Sequence, residues 1–327
     1  KKKYITIKMK KNNDNHIIKP IIKWVGGKTQ IIDKLLSKFP RSINNYHEIF
    51  LGGSSVLIGL LCMIKHKKIT VHGKICAYDI NDTLIYLFKN IQNNHNELYE
   101  HTQEIIKCYN NCPIHYAKNS NINIKRPNSL QEAVMSQESY YYWTRKCYNM
   151  LNEKEKHSPY GSALFLFLNK TCFRGLYRVS SSNAFNVSFG HYRNPEIINK
   201  THLDEIHDLL QPVEFYVCDF RSSLQKIFCD DDFLYIDPPY ASIPEQSQSF
   251  VRYSKNGFND QEHNSLFNLC HDLCKKNVKL MMSNSSVPII KDTFDSPCYH
   301  IETILCKRQI NSKKPGSKIN EFIITNY

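Results

Sequence analysis

The feature that most constrains the fold is a pair of β-rich runs joined by a glycine turn and an apolar helix. The run Tyr46–Phe50 leads into Gly52–Gly53, and the apolar residues Val56–Ile64 predict a buried helix. A second β-rich run, Lys74–Tyr78, ends at Asp79. Strand, glycine turn, helix, strand and acidic residue is the order of a nucleotide-binding α/β unit. We therefore expect a parallel sheet whose carboxyl ends face a ligand.

The second half of the chain continues this alternation. Further β-rich runs occur at Glu214–Cys218, Phe233–Ile236 and Lys279–Met282. Ile301–Gln309 and Glu321–Asn326 are placed to pair as a hairpin around the basic turn Lys313–Lys318. The pattern predicts an α/β fold with an open, mostly parallel sheet and an antiparallel edge.

The stretch 83–195 interrupts the sheet pattern and is a candidate second domain. Its predicted parts are helices at 83–109, 131–151 and 162–168, a mobile polar loop at 110–130, and a polar-tipped β-hairpin at 173–190. Residues 1–19 are basic and polar and are expected to form a mobile tail. The sheet domain is then expected to comprise 20–82 and 196–327.

Composition narrows the class of partner. Lys plus Arg exceed Asp plus Glu by 43 to 30, a net charge of +13, which favours nucleic acid or an anionic membrane surface as partner. Abundant Lys, Asn and Ile are also typical of proteins from A/T-rich genomes, which is a second explanation of the charge. The longest apolar runs are too short to span a membrane, and the first residues lack the apolar segment of a signal peptide, so a cytoplasmic location is expected.

The 12 cysteines are scattered and are expected to be reduced thiols. Cys108, Cys112 and His115 have loose metal-ligand spacing, and Cys270 and Cys274 are four residues apart. Each group lacks a clear second pair of ligands, so no metal site is predicted.

The motif Asp237-Pro238-Pro239-Tyr240 directly follows the apolar run Phe233–Ile236. Ligands of open α/β sheets bind outside the carboxyl ends of strands, where this motif is expected. The prolines restrict the backbone and leave its carbonyls unpaired. A carboxylate and a carbonyl can accept both hydrogens of an adenine amino group and free its lone pair for attack on a sulfonium methyl. Tyr240 would stack on a base extracted from a duplex. The alternative is an ordinary strand-ending turn.

Two glycine-containing segments are candidate nucleotide-binding sites. Glycines after a strand let a ligand approach the backbone, and the Asp79 carboxylate can bind ribose hydroxyls, although an ordinary helix N-terminus also explains the turn. Gly27-Lys28-Thr29 resembles part of a phosphate-binding loop. That loop needs a glycine where this chain has Ile22, and no β-rich strand precedes it, so an NTPase is excluded here.

The chain resembles the Dam-like DNA adenine methyltransferases of the α class from Lys23 almost to its end. The matching segments, in order, are KWVGGK, EIFLGGSSV, AYDIND, NKTCFRGLYR, FNVSFG, YIDPPY, MSNS and KRQINSK…EFIITNY. The resemblance implies a seven-stranded methyltransferase sheet with an inserted helical and β-hairpin DNA-recognition domain at 83–195. It also implies an S-adenosyl-L-methionine site with these residues: Trp24, Lys28, Asp79 and Asp237 as contacts, Phe50 and Gly52 along methionine and ribose, and Asp219 and Phe220 at the adenine ring.

The resemblance also implies how double-stranded DNA is read. Phe173 matches an aromatic wedge at the flipped base, Arg178 and Lys23 match guanine readers, and Leu176 matches a contact to a thymine methyl. Lys170 and Arg174 are expected on the same basic surface. Arg174 replaces a small polar residue and Ser188 replaces a proline, so a GATC-type site with relaxed outer positions is expected. A cognate restriction endonuclease acting on the same site would be a compatible partner.

Three alternatives remain at this point. A cytosine-N4 enzyme is disfavoured because Asp237 stands where the resembling N4 enzymes have Ser, and an RNA enzyme is disfavoured by the predicted hairpin. A DNA-binding relative without activity is disfavoured by the intact Asp237–Tyr240 motif and cofactor turn.

Overall fold

The computed structural model describes residues 17–114, 122–225, 229–241, 258–276, 278–307 and 318–327. Its helices are α1 Ile32–Leu36, α2 Ser55–Lys65, α3 Asp82–Asn111, α4 Leu130–Ala133, α5 Gln137–Met150, α6 Glu153–Lys156, α7 Pro159–Thr171, α8 Lys200–Leu210, α9 Phe220–Leu224, α10 Asp260–Cys274 and α11 Pro288–Phe294. Its strands are β1 Ser42–Ile43, β2 Tyr46–Glu48, β3 Thr70–Val71, β4 Ile75–Asp79, β5 Val213–Val217, β6 Phe233–Ile236, β7 Lys279–Ser285, β8 His300–Lys307 and β9 Lys318–Thr325.

Seven of these strands form the main sheet, in the order β5-β4-β2-β6-β7-β9-β8. The first five strands in that order pair in parallel. β9 pairs antiparallel with both β7 and β8. The seven-stranded, mostly parallel sheet with an antiparallel edge is therefore confirmed. The short strands β1 and β3 pair separately.

Both faces of the sheet are covered by helices. Successive side chains of a strand point to opposite faces, so one strand contributes to a core on each side of the sheet. In β6, Phe233 and Tyr235 join a cluster that includes Leu57 of α2. Leu234 and Ile236 join a second cluster with helices α9, α10 and α11. The continuous apolar run of β6 thus reflects burial on both faces.

Local sequence explains where several helices begin. Polar N-terminal caps accept backbone N–H groups in the first turn, as the side chains of Asn81, Ser136, Ser158, Asn199 and Asn259 do here. α7 follows Ser158 with Pro159 at its start, and its residues 161–169 are all buried. An apolar helix of this kind needs cover on every side. Leu84 of α3 and Phe167 of α7 belong to the same cluster as Leu57, so the core under the sheet continues into 83–195.

The order of the strands places the site. The chain moves from β2 outwards through β4 to β5, then returns to lie on the other side of β2 as β6. Glu48 of β2 is in register with Tyr235 of β6. A crevice forms outside the carboxyl ends of strands where the order reverses. The glycine turn after β2 and the motif after β6 meet at that point.

The segment 173–190 differs from the regular β-hairpin predicted. It begins with a 3₁₀ turn, Phe173–Gly175, and its antiparallel pairing is reduced to the isolated bridges Cys172–Phe189 and Val179–Phe185. Side chains of α5 take some of its backbone hydrogen bonds: Tyr141 and Arg145 donate to the Val187 carbonyl. Backbone groups paired in this way are not available for a continuous ladder.

Two predicted mobile regions also differ in part. α3 extends into the predicted loop as far as Asn111, and the Ile124 N–H donates to Ser139 Oγ at 2.7 Å. Ile17 and Ile18 of the predicted tail pack against the core, and the Lys19 carbonyl is 2.8 Å from His202 Nε2. The rest of the tail and residues 115–121 lie outside the described residues. Within the described ranges, every helix is too short or too polar to cross a membrane.

Candidate active site

Asp237 lies directly after β6 and forms an ion pair with Lys28. The Lys28 ammonium is 2.7 Å from Oδ1 and 2.5 Å from Oδ2, and it also donates to the Gly26 carbonyl at 2.7 Å. The lysine side chain is 4% exposed and the aspartate side chain 18%. Burial raises the pKa of Asp237 to about 6, although Lys28 opposes this shift. The carboxylate is thus ionised at neutral pH and remains open on one side.

Asp79 joins the end of β4 to the glycine turn after β2. Its Oδ2 accepts from the Gly52 N–H at 2.9 Å, and its Oδ1 accepts from the Asn81 N–H at 2.8 Å. Burial raises its pKa to about 6 against these hydrogen bonds. Each carboxylate oxygen has further acceptor capacity, so Asp79 can also accept from the hydroxyls of a ligand.

Trp24 packs into the glycine turn. A Cβ on Gly53 would lie 2.7 Å from the Trp24 Cβ, and a Cβ on Gly52 would lie 3.1 Å from the indole ring. Gly52 has a φ of +50°, which favours glycine. The two glycines therefore admit the indole as well as exposing the backbone. On the side of α7, the Trp24 ring is 5.3 Å from the ring of Tyr177.

A cluster of aromatic side chains lies at the carboxyl ends of β2 and β5. The rings of Phe50 and Phe220 stack with centroids 5.8 Å apart, and Phe258 packs edge-on against Phe50. Asp219 caps α9 by accepting from the Arg221 N–H at 2.9 Å. Most of the residues predicted for the cofactor thus end or follow a strand at the same edge of the sheet: Phe50 and Gly52 follow β2, Asp79 ends β4, Asp219 and Phe220 follow β5, and Asp237 follows β6. Trp24 and Lys28 come instead from the segment before α1 and reach the site by packing on the glycine turn and pairing with Asp237.

Tyr240 contacts one basic and one acidic residue of the site. Its ring centroid is 5.0 Å from the Lys28 ammonium, and its hydroxyl donates to Glu321 Oε2 at 2.8 Å. Burial, then the nearby Asp237 carboxylate, raise the pKa of Tyr240. Pro238 is buried and Pro239 half-buried beside it. The phenol therefore stays neutral, with a ring that can pack against an aromatic ligand.

The cationic residues predicted to read DNA gather beside Trp24. The Lys23 ammonium lies 3.9 Å from the ring centroid of Tyr192. A Cβ on Gly175 would lie 2.4 Å from the Lys23 Cβ, so the start of the 173–190 segment packs directly on Lys23. Burial, then the charge of Lys23, lower the pKa of Lys170 to about 8. Arg174 is exposed in the same region with a φ of +57°.

The remaining predicted DNA contacts lie along the 173–190 segment. Phe173 is 47% exposed, and its N–H donates to the carbonyl of the exposed Ser188 at 2.8 Å. Arg178 is folded back onto Asn186, with Nε 2.7 Å from the side-chain oxygen. Leu176 is half-buried against the core, which leaves only part of it for a base contact. The turn Lys313–Lys318 is outside the described residues except for Lys318.

Sequence reasoning missed four residues that support the site. Asn169 is fully buried and bonds to both backbone groups of Lys23. Glu48 is 2% exposed and accepts from the Tyr46 hydroxyl at 2.6 Å. Tyr192 holds Lys23, and Glu321 holds Tyr240. Asn169 and Glu48 could have been identified from the sequence, because each is a polar residue within an apolar run.

Cavity size alone does not identify this site. A cavity of about 540 Å³ is lined by Lys23, Trp24, Gly53 and Arg174 among others. It therefore lies between residues predicted to bind the cofactor and residues predicted to bind DNA. Another of about 570 Å³ lies between α11 and the β8–β9 hairpin and contains none of them.

One group of side chains outside the site has metal-ligand geometry among the described residues: Asp82, Glu153 and His157. His157 Nε2 is 3.0 Å from Asp82 Oδ2, and its ring stacks on Tyr86. The short contact between His157 and Asp82 and the ring stack on Tyr86 explain this arrangement. Of the cysteines considered above, the Cys112 thiol donates to the Cys108 carbonyl at 3.1 Å, and His115 lies outside the described residues.

The protein is similar to known methyltransferases over nearly its whole length. It is 32% identical over 318 residues to the type II methyltransferase M.MjaIII of Methanocaldococcus jannaschii, covering 95% of this chain and 99% of the relative. It is 28% identical over 323 residues to M1.LlaDCHI, a type II methyltransferase of Lactococcus lactis subsp. cremoris, covering 98% of both chains. It is 27% identical over 279 residues to the DNA adenine methylase of Haemophilus influenzae, covering 85% of this chain and 83% of the relative.

The model of one family matches most of the chain. It spans residues 24–310, from Trp24 through the Asp237 motif and into the segment after β8. That range includes the glycine turn, Asp79 and the 173–190 segment, which the fold assembles around one crevice. The chain is therefore an adenine-specific DNA methyltransferase and belongs to the D12 class N6 adenine-specific DNA methyltransferase family.

Proposed function

We propose that this enzyme transfers the methyl group of S-adenosyl-L-methionine to N6 of an adenine flipped out of duplex DNA. The observation that carries the proposal is the position of the Asp237 carboxylate. It lies directly after β6, is held by Lys28, and faces the crevice next to the glycine turn after β2. An acceptor for the amino hydrogens of adenine is thus next to a nucleotide-type cofactor site.

The residues around the glycine turn fit S-adenosyl-L-methionine. Gly26 has a φ of +83° and open space where a Cβ would be, so a ligand can approach the backbone there. The Ser54 hydroxyl is buried without a hydrogen-bond partner among the described residues. Asp79 offers acceptors for the ribose hydroxyls, and the half-buried ring of Phe50 stacks on Phe220 at the predicted adenine position.

The remaining cofactor assignments rest on the resemblance to the Dam-like enzymes. Trp24 and Lys28 would contact the cofactor, which is supported by the packing of Trp24 on the glycine turn and the pairing of Lys28 with Asp237. Gly52 would line the ribose together with Asp79. Asp219 would lie at the adenine ring, where it precedes Phe220.

When bound, the cofactor supplies an electrophilic methyl group on a sulfonium. Asp237 and the Pro238 carbonyl would each accept one hydrogen of the adenine amino group, so that the nitrogen lone pair is no longer delocalised into the ring. The amino nitrogen would then be free to accept that methyl group, and Asp237 would pass the amino proton that is lost to solvent. Lys28 keeps Asp237 ionised and oriented for this task, because its positive charge opposes the effect of burial on the pKa.

Tyr240 would provide the surface on which the flipped base stacks. Its ring is half-buried and adjoins both Lys28 and Asp237. The base would then be held between this ring and the carboxylate. Phe173, which is exposed, would fill the space that the adenine leaves in the duplex.

We also propose that residues 83–195 form the target-recognition domain, with the remaining residues from 20 onwards as the catalytic domain. Lys23 and Arg178 would read guanines, Leu176 would contact a thymine methyl, and Lys170 and Arg174 would contact phosphates near Ser188. The match of Lys23, Phe173, Leu176 and Arg178 to residues of the Dam-like enzymes supports a short palindromic site of the GATC type. Two relatives named type II methyltransferase support a cognate restriction endonuclease as a partner.

The decisive experiment measures tritiated methyl transfer to unmethylated duplex DNA, followed by digestion to nucleosides. We expect N6-methyladenine from the wild type, and almost none from Asp237→Ala with duplex binding retained. Asp204→Ala, which removes a surface carboxylate of α8, is the control. N4-methylcytosine, transfer to RNA alone, or no transfer by the wild type would contradict the proposal. Sequencing of the methylated DNA tests the GATC-type site, and a consensus without a central AT step would contradict it.

A further inference from the structure

The antiparallel edge of the sheet reaches the catalytic motif. Ser285 at the end of β7 and Glu321 of β9 lie directly opposite each other in the β7–β9 pairing. The carboxyl end of β7 and the early part of β9 therefore share one position, next to the segment that follows β6. This places side chains from the last residues of the chain beside Tyr240.

Three hydrogen bonds connect this strand pair to the motif. The Tyr240 hydroxyl donates to Glu321 Oε2 at 2.8 Å. The Ala241 N–H donates to Asn284 Oδ1 at 3.3 Å, and Ser285 Oγ donates to the Ala241 carbonyl at 2.9 Å. The backbone after the motif and the tip of the tyrosine are thus held from the same side.

The hydrogen bond from Tyr240 to Glu321 restrains the phenol ring, which the hydrogen bonds to the Ala241 backbone leave free to rotate. A tyrosine ring turns about its side-chain torsions even when the backbone of the next residue is fixed. A hydrogen bond to a charged acceptor is shorter and roughly twice as strong as one between neutral groups. With Lys28 at its ring and Glu321 at its hydroxyl, Tyr240 has both ends of its side chain fixed.

We propose that Glu321 is a positioning residue, which holds the Tyr240 ring in the orientation that stacks on the target adenine. Asn284 and Ser285 assist by fixing Ala241. The inference rests on the proposed function, since it assumes that Tyr240 stacks on a flipped base. It assigns the β7–β9 pair a role in the reaction besides closing the sheet.

A double-mutant cycle in the full-length enzyme tests the inference. Glu321→Ala should lower kcat by about tenfold, which corresponds to about 1.4 kcal/mol in the barrier, with little change in KM for DNA. Glu321→Gln should retain most of kcat, because its amide oxygen can accept the same hydrogen bond. In a Tyr240→Phe background, which has no hydroxyl, Glu321→Ala should have no further effect. The matched control is Glu302→Ala in the neighbouring strand β8, where the carboxylate pairs with Lys34 and Lys38.

A second readout reports on the base directly. A 2-aminopurine at the target position should be flipped by Glu321→Ala but quenched less than by the wild type, because stacking on Tyr240 is less regular. An equal loss of kcat from Glu321→Ala in the wild-type and Tyr240→Phe backgrounds would overturn the inference. The inference would also be overturned if Glu321→Ala had the same kcat and the same 2-aminopurine quenching as the wild type. If the wild type forms N6-methyladenine, either of these results would refute the inference about Glu321 and leave the proposed function intact. If the wild type does not form N6-methyladenine, the proposed function itself is refuted.

Discussion

The side-chain amide of Asn169 bonds to both backbone polar groups of Lys23. Its Oδ1 accepts from the Lys23 N–H at 2.9 Å, and its Nδ2 donates to the Lys23 carbonyl at 2.8 Å. Asn169 belongs to α7, whereas Lys23 precedes Trp24 in the segment that packs on the glycine turn. One buried amide thus ties the proposed cofactor site to the region that carries Phe173.

The first prediction concerns this amide. Asn169→Ala should lower the free energy of unfolding by about 2 kcal/mol, because buried backbone groups lose their partners. It should also weaken cofactor binding, since Trp24 follows Lys23. Asn149→Ala is a matched control: Asn149 bonds in the same two-ended way to Phe185, far along the chain from Trp24. Chemical denaturation and calorimetry measure both effects, and an equal loss of cofactor affinity in the two variants would contradict the prediction.

The second prediction concerns Asp79. Asp79→Ala removes the acceptor of the Gly52 N–H and the proposed partner of the ribose, so cofactor binding should weaken by roughly 1–3 kcal/mol. Asp79→Asn should lose less, because its amide oxygen can still accept from one N–H. Titration calorimetry with S-adenosyl-L-methionine checks this, and unchanged affinity in Asp79→Ala would show that the ribose is bound elsewhere.

The third prediction is the pH dependence of catalysis. Asp237 must be ionised to accept amino hydrogens, and its pKa is about 6. The charged groups that act on it are Lys28, which lowers its pKa, and Glu321, which raises it; the neighbouring Glu48 has a pKa of about 8 and is neutral in this range. With saturating substrates, kcat should fall about tenfold per pH unit below that pKa. Lys28→Met should move the fall to higher pH, because it removes the opposing positive charge. A rate independent of pH from roughly 5 to 8 would be inconsistent with this role.

The fourth prediction is the pH dependence of stability. Burial raises the pKa of Glu48 from its ordinary value of 4.5 to about 8. Between these values the folded protein binds a proton that the unfolded chain releases. This contribution to stability is therefore complete below pH 4.5 and is lost as the pH rises to about 8, by about 1.4 kcal/mol per pH unit.

Urea denaturation between these pH values tests that dependence. Glu48→Gln should flatten the profile, since a glutamine does not titrate and can still accept from Tyr46. Glu302→Gln is the control, because its two lysine partners lower the pKa of Glu302 to about 2, below the window. A profile for Glu48→Gln as steep as that of the wild type would rule out Glu48 as the source.

The fifth prediction separates base reading from phosphate binding. Arg178→Ala should reduce discrimination at one guanine by about 1–3 kcal/mol. Arg174→Ala should weaken all sites alike and reduce the slope of log affinity against log salt by roughly 0.9. Neutralising Lys313, Lys314 and Lys318 should also reduce that slope if the basic turn faces the duplex. Binding to matched and mismatched duplexes over a salt series distinguishes these outcomes.

The fold class and the family could be predicted from the sequence. β-rich runs and their glycine and acidic endings predicted β2, β4 and β6, because these signals lie within a few residues of one another. The β8–β9 hairpin was predicted in the same way. The motifs around Gly52, Asp79 and Asp237 are local as well, and their order along the chain was enough to identify the chemistry.

Which side chains meet in the site depends on the tertiary structure. Lys28 and Asp237 are 209 residues apart, and no local pattern could show that they form an ion pair. The same holds for Glu321 on Tyr240 and for Asn169 on Lys23. The polar-tipped hairpin predicted at 173–190 pairs only through isolated bridges, and side chains of α5 bind part of its backbone. Such contacts depend on how strands are ordered and helices packed, which the periodicity of one segment does not encode.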